Sequence, residues 1–452
     1  MIKKSVIVLG SVFFVAGLYL QAQTASDIQK NWHQWRGPYM TGVSPDGDPP
    51  TEWSETKNIK WKIAIPGKGH ATPIIWKDRV FILTAVETDK QGQAKIKAQE
   101  QESGSQRGRG RGMPTTRTTK IHEFVVLAIN RDDGKILWQK TVTEEIPLEG
   151  THEFGSWASH SPVTDGEYIY AYFGSRGLYC LDMEGNIKWE RDFGQLSKHM
   201  NFGEGSSPAI YGDKIIVTWD HSGPSFIIAV DKETGRDIWR VDRDEETSWA
   251  TPYVVEVGGK PQVITSATKL IRSYDLETGE LIWECSGMTM NCIPTPFAAE
   301  GILYVMSGFR GNALLAIRLA GAKGNITDTD AIVWKHDKDT PYAPSPLLNG
   351  NYMYFLRGNN GILSCFDAKT GKSYYTAQRL EGMGNIFASL FGAKDRIYIT
   401  GQKGTFYVVK QGPEFTILGK NTLDDNFSAS PVAVGKQLFL RGYKNLYCIE
   451  QE

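Results

Sequence analysis

A segment of about forty-four residues recurs along this chain, and that periodicity limits what it can fold into more than any other property. Each copy opens on a short run ending in Ser-Pro or Thr-Pro and closes on an aromatic residue behind an acidic, Gly-containing turn. The opening prolines are Pro73, Pro162, Pro208, Pro252, Pro296, Pro346 and Pro431, and Leu390 holds the same place in an eighth copy. Trp138, Trp189, Trp239, Trp283 and Trp334 close units in register, Tyr375 substitutes in the sixth, and an apolar stretch from Phe415 to Leu418 does so in the seventh.

Inside each unit, apolar residues alternate or run in blocks of four to six between Gly, Asp and Asn turns, which predicts four short strands rather than helices. In the third unit these are Pro208 to Tyr211, Lys214 to Trp219, Phe226 to Asp231 and Asp237 to Arg240. The turn Asp231 to Gly235, with counterparts at Asp275 to Gly279 and Asp367 to Gly371, joins the last two strands. Four-stranded sheets at this period predict an all-β fold, an eight-bladed β-propeller. Ring closure is predicted as well. The eighth unit stops after its third strand, Leu446 to Glu450, while Ile59 to Ile63 is a fourth strand with its own Trp61 and no unit before it. Joining the two removes the open sheet edges.

The interval from Pro73 to Pro162 is twice the usual one. Its extra residues, 87–120, are rich in Gln, Gly, Lys, Arg and Thr and lack the apolar content of a sheet, so they are expected to form a long basic loop in blade one. Arg107, Arg109, Arg111 and Arg117 lie in it. Ahead of the propeller, assigned to 58–452, residues 23–57 read as an arm, with Trp32-His33-Gln34-Trp35-Arg36-Gly37-Pro38 suited to pin it to the propeller wall. Residues 1–22 begin with Lys3 and Lys4, continue through an apolar run from Val6 to Leu20 and end on small Ala22. This pattern predicts a secretory signal peptide cleaved after about Ala22, an exported, periplasmic chain, and no membrane span once it is removed.

A formal charge of −1 over 452 residues gives no sign of a nucleic-acid partner. Cys180, Cys365 and Cys448 occupy one third-strand position in separate units and read as buried thiols, whereas Cys285 and Cys292 flank one interblade connection, where they can pair or stay free.

In a propeller, the connections between blades emerge on the same face as the loops between second and third strands, so binding residues are expected there. That face gathers His70, His152, Trp157, His160, His199, Asn201, Glu204, Asp220, His221, Trp249, Asn291, Arg310, Tyr342, Asn359, Asn360 and Asn385. Glu204, Asp220, His160 and His199 are the candidates for acid, base or oxygen and nitrogen ligands. Trp249, Trp157, Asn201 and Arg310 are the candidates for holding a cofactor or sugar ring. Their separations match no compact metal motif, and polar loop residues bonded to backbone or water fit the same pattern.

The Ser/Thr-Pro start, the Leu-x-Ala/Cys-x-Asp third strand, the Asp-x-x-Thr-Gly-x-x-x-Trp ending, Gln34-Trp35-Arg36-Gly37-Pro38 and Leu446-Tyr447-Cys448-Ile449 resemble the pyrroloquinoline-quinone (PQQ) propeller repeat. The resemblance covers Trp32 to the C-terminus. It implies a quinoprotein-like exported propeller of the kind often associated with polysaccharide breakdown. Related proteins include quinoprotein alcohol and sugar dehydrogenases and a scaffold of outer-membrane protein assembly. From the resemblance, PQQ with Ca²⁺ is the expected cofactor, with Trp249 as stacking platform and Asp220, Glu204 or Asn201 as oxygen ligands. Those dehydrogenases commonly hold the quinone against a disulfide of adjacent cysteines, and no adjacent pair occurs here. Three functions stay open: a sugar or alcohol oxidoreductase using Glu204 or Asp220 as base, a noncatalytic propeller binding a saccharide or protein, and a hydrolase or lyase on anionic saccharides using His160, His199 and Tyr342.

Overall fold

The computed structural model describes residues 27–92, 115–147 and 149–451. The signal-peptide assignment and the Arg107 to Arg111 run lie outside them. Eight sheets, each built on four antiparallel strands, follow one another along the chain as the blades of a propeller. Blade three consists of Ala209–Tyr211, Lys214–Trp219, Ser225–Asp231 and Asp237–Arg243. Its second strand is buried throughout and its third nearly so, because both faces of a blade pack on neighbouring blades. The outer strand alternates between exposed and covered residues, as an edge does. The innermost strand is short and follows a proline, a residue without an amide to donate, at the edge that faces the axis.

The last blade is completed by the N-terminal strand, with Trp61 opposite Cys448 and Ile63 opposite Leu446. Interblade packing explains the repeating aromatic. Trp189 lays its ring against Gly235 of the next blade and donates its indole N–H to Lys232 O at 3.0 Å. Gly235 has φ +68°, and a Cβ there would come within 2.7 Å of the Trp189 ring, so both the turn and the contact require glycine. Trp138, Trp239 and Trp334 repeat this docking, and Trp61 carries it across the seam, donating to Arg131 O at 2.9 Å. Trp283 is the exception. The next blade replaces the Gly turn with a longer segment whose Gly324–Asn325 adds a parallel strand beside Trp283, leaving the indole N–H buried and unpartnered.

Two expectations about connections are refined. The blade-one strands Arg79–Gln91 and Lys120–Asn130 run on to pair Gln91 with Lys120, so both ends of the segment expected as loop are ladder. Cys285 and Cys292 are both free and buried, and their thiols face the carbonyls of Ser286 and Thr289 rather than each other.

Candidate functional site

The residue before each first-strand proline is Thr72, Ser161, Ser207, Thr251, Thr295, Ser345 or Ser430, with Ser389 before Leu390. Their hydroxyls form a belt around the axis. The amides of seven of the eight donate to the hydroxyl oxygen of the neighbour in the following blade: Thr72 to Ser161, Ser161 to Ser207, Ser207 to Thr251, Thr295 to Ser345, Ser345 to Ser389, Ser389 to Ser430, and Ser430 back to Thr72, all at 2.9–3.1 Å. The Thr295 hydroxyl instead accepts the indole N–H of Trp35 at 2.9 Å.

Trp35 comes from the N-terminal arm, which is tied to the ring from several sides. His33 O accepts the Thr164 amide, the Arg36 guanidinium donates to the Thr41, Pro346 and Leu390 carbonyls, and Val43–Ser44 pairs in parallel with the first strand of blade seven. The motif expected to pin the arm therefore does so, and it also brings Trp35 into a central cavity of about 280 Å³. Belt hydroxyls line this cavity together with aromatic rings, among them Phe154, Phe202, Trp249, Phe309, Tyr342 and Phe387. His70, His152, Ser159, Glu204, Asn359 and Ser428 supply further polar groups.

Of the residues expected on this face, His70, His152, Glu204, Trp249, Tyr342 and Asn359 line the cavity, and Glu204 and Trp249 are neighbours: the Trp249 indole N–H donates to Gly203 O at 2.8 Å. One Glu204 oxygen accepts the Ser175 hydroxyl at 2.5 Å and the other the Ser175 amide at 2.8 Å, while Arg176 stands 3.7 Å away and itself forms a bidentate pair with Glu149. Burial, reinforced by the Glu149 charge, pushes the Glu204 carboxyl up to about 7 against the pull of Arg176 and Ser175. His160 sits just behind this wall. Its ring stacks edge-on with Tyr172 at 4.7 Å, and its Nδ1 has no partner. Burial holds both His70 and His160 down to about 3, helped at His70 by Lys68 and Arg441 and at His160 by Lys198 and Arg176, so both rings are neutral at pH 7.

The other candidates lie off the cavity lining. Asp220 is locked in a buried ion pair with Arg243 at 2.8 Å and accepts the Ser248 hydroxyl. His199 and Asn201 form a short 3₁₀ turn held to Thr247. Trp157 donates to Glu149 O and meets His122 edge-on. Arg310 is exposed and lies over the Phe309 ring. The residues not foreseen are Trp35, the belt hydroxyls as a lining, and Phe154, Phe202, Phe309 and Phe387. The Ser/Thr-Pro pairs were the visible signal for the belt.

An eight-bladed ring with interblade tryptophan docking and a cavity on its axis defines a PQQ-type repeat propeller. The family model described as outer membrane protein assembly factor BamB matches residues 122–376 and 224–452, and the chain belongs to that family. Among solved structures, BamB from Moraxella catarrhalis is similar at 13% identity and TM-score 0.52, covering 82% of this chain and 99% of its own. Quinohemoprotein alcohol dehydrogenase from Comamonas testosteroni is similar at 10% identity and TM-score 0.62, covering 95% and 84%. The quinohemoprotein alcohol dehydrogenase ADHIIG from Pseudomonas putida HK5 gives 10% and 0.59, covering 95% and 81%. At these identities the likeness is one of fold. No curated protein matches the chain.

Proposed function

We propose that this chain is an exported propeller that binds a saccharide in its central funnel and serves carbohydrate use outside the cytoplasm. The observation that carries this reading is the lining: the indoles of Trp35 and Trp249 beside a ring of hydroxyls, in a cavity of about 280 Å³. Aromatic faces stack on the C–H surface of a sugar ring, and hydroxyls with Asn359 satisfy its polar rim. The basic, apolar and small-residue order of residues 1–22 supports export, and among the described residues no helix is long and apolar enough to cross a membrane.

The test is calorimetric titration of the purified chain against a panel of neutral and acidic oligosaccharides. Trp249→Ala is expected to weaken binding roughly tenfold, in line with the loss of an aromatic platform. Trp157→Ala, whose ring lies off the cavity, is expected to leave affinity within twofold of wild type, about the effect of a change outside the contact surface. Absence of any binding across the panel would refute the reading and leave a protein partner, as in an assembly scaffold, as the alternative.

A PQQ-dependent sugar or alcohol dehydrogenase is the second reading, favoured by the position of Glu204, a carboxyl held near 7, beside Trp249. The donor set does not fit that cofactor. Among the described residues lining the cavity there is no Lys or Arg to meet a tricarboxylate directly, and Glu204 is the sole carboxylate where Ca²⁺ takes six to eight oxygens. Among the described residues no group of three His, Cys, Asp or Glu stands close enough to hold a metal. Titration with PQQ and Ca²⁺ is therefore expected to show no saturable uptake and no dye-linked activity. For the hydrolase or lyase reading, Tyr342 lines the cavity while His160 and His199 do not.

A further inference from the structure

We propose that the waist of the funnel is an acid-group subsite, seating one carboxylate of the ligand against the hydroxyl belt with Arg36 beneath it as the buried counter-charge. This rests on the saccharide reading and names the class of sugar, a uronic or aldonic acid.

The belt supplies the donors. Each hydroxyl has one proton to give and two lone pairs to receive. At Thr72, Ser207, Thr251, Ser345, Ser389 and Ser430 a lone pair is already taken by the amide of the preceding blade. Among the described residues none of these six hydroxyl protons has an acceptor, and all six residues line the cavity. Amides donating into the oxygens polarise the O–H bonds, which strengthens them as donors. Several converging O–H groups match the acceptor-only chemistry of a carboxylate better than any cation.

Arg36 supplies the charge. It is 3% exposed, and among the described residues its guanidinium donates to backbone carbonyls alone, with Nε unpartnered and no carboxylate in ion-pair range. Three other buried guanidinium groups are matched: Arg176 with Glu149, Arg243 with Asp220, Arg272 with Glu245. A buried charge without a partner is costly, so a ligand anion nearby recovers energy that the free protein lacks. A small void of about 10 Å³, bounded by Arg36, Trp35, Thr72 and Ser430, lies between the guanidinium and the belt. Arg441, also buried without a carboxylate in range, adds positive charge behind Gly69 and His70. Glu204 is the opposing carboxyl on the lining, and its charge is shared with Arg176 and Ser175.

The experiment is calorimetric titration of the intact protein with sodium glucuronate and with glucose at matched ionic strength, beside melting curves in sodium acetate against sodium chloride. Glucuronate is expected to bind roughly tenfold or more tightly than glucose, the range for a charge-assisted hydrogen bond. Thr72→Val or Ser430→Ala, each checked for native circular dichroism, is expected to erase that preference, and Arg36→Gln to do the same if it folds. Equal affinity for the two sugars, or a preference untouched by the belt variants, overturns the subsite while leaving the saccharide reading intact. If neither sugar binds, that reading fails, and acetate decides the subsite: stabilisation of wild type but not of Thr72→Val supports it, and no stabilisation overturns it.

Discussion

The amide of Ser430 donates to the hydroxyl of Thr72 at 3.1 Å, joining residues 358 positions apart. This bond closes the belt on the inside of the ring, as the strand around Trp61 closes the blade on the outside. Closure and site meet at the belt, because Ser430 and Thr72, which seal the circle on the inside, also line its cavity.

Trp61 is the outer clasp. Its ring lies against Gly134 of blade one, its N–H reaches Arg131 O, and it is 8% exposed. Trp61→Ala is expected to cost about 3–5 kcal/mol, the range for deleting a large buried aromatic. Urea denaturation followed by circular dichroism measures it, and an unchanged midpoint would contradict the clasp.

Gly235 and Gly212 separate backbone strain from interblade contact. Both have positive φ, +68° and +60°, but a Cβ at Gly235 would strike the Trp189 ring, whereas one at Gly212 meets nothing within 4 Å. Gly212→Ala is expected to cost about 1 kcal/mol from strain alone, and Gly235→Ala about 3 kcal/mol from strain plus overpacking. The same denaturation assay ranks the two.

Stability should depend on pH through Glu204. The unfolded carboxyl titrates near 4.5 and the folded one about 7, so between these values the native state holds the extra proton and stability falls as pH rises. Glu204→Gln should flatten that fall by about 1–3 kcal/mol between pH 5 and 7.5. His70 and His160 act in the opposite sense. Held down to about 3 when folded, they stay neutral while the unfolded chain gains protons below 6.5, so stability is lost as pH falls from 6.5 toward 3. Urea midpoints across pH 4 to 8 for wild type and Glu204→Gln resolve the two contributions.

The five cysteines are free, and burial pushes the thiols of Cys180, Cys292 and Cys365 up to about 12. Native protein should resist alkylation by iodoacetamide at pH 8, because the thiolate is the reactive form. After denaturation without reductant all five should react. Mass spectrometry showing three labels in the denatured chain would instead reveal a Cys285–Cys292 bridge.

Residues close in the chain were enough to read the architecture. The Pro-to-Trp period, the Asp231 to Gly235 turn and the orphan strand at Trp61 are local patterns, and each blade is a local unit whose strands pair in sequence order. The lone fourth strand at one end and the missing one at the other make closure legible in the sequence alone. What the tertiary structure decided was the site. Glu204 and Asp220 look alike in the chain, yet one faces the cavity and the other is neutralised by Arg243, because that choice depends on which side chain a neighbouring strand presents. Trp35 reaches Thr295 across 260 residues, and the Ser and Thr of eight separate repeats become one ring when the circle shuts. Periodicity along a chain encodes repeated local units, whereas a pocket on their common axis arises from long-range contacts that no single repeat contains.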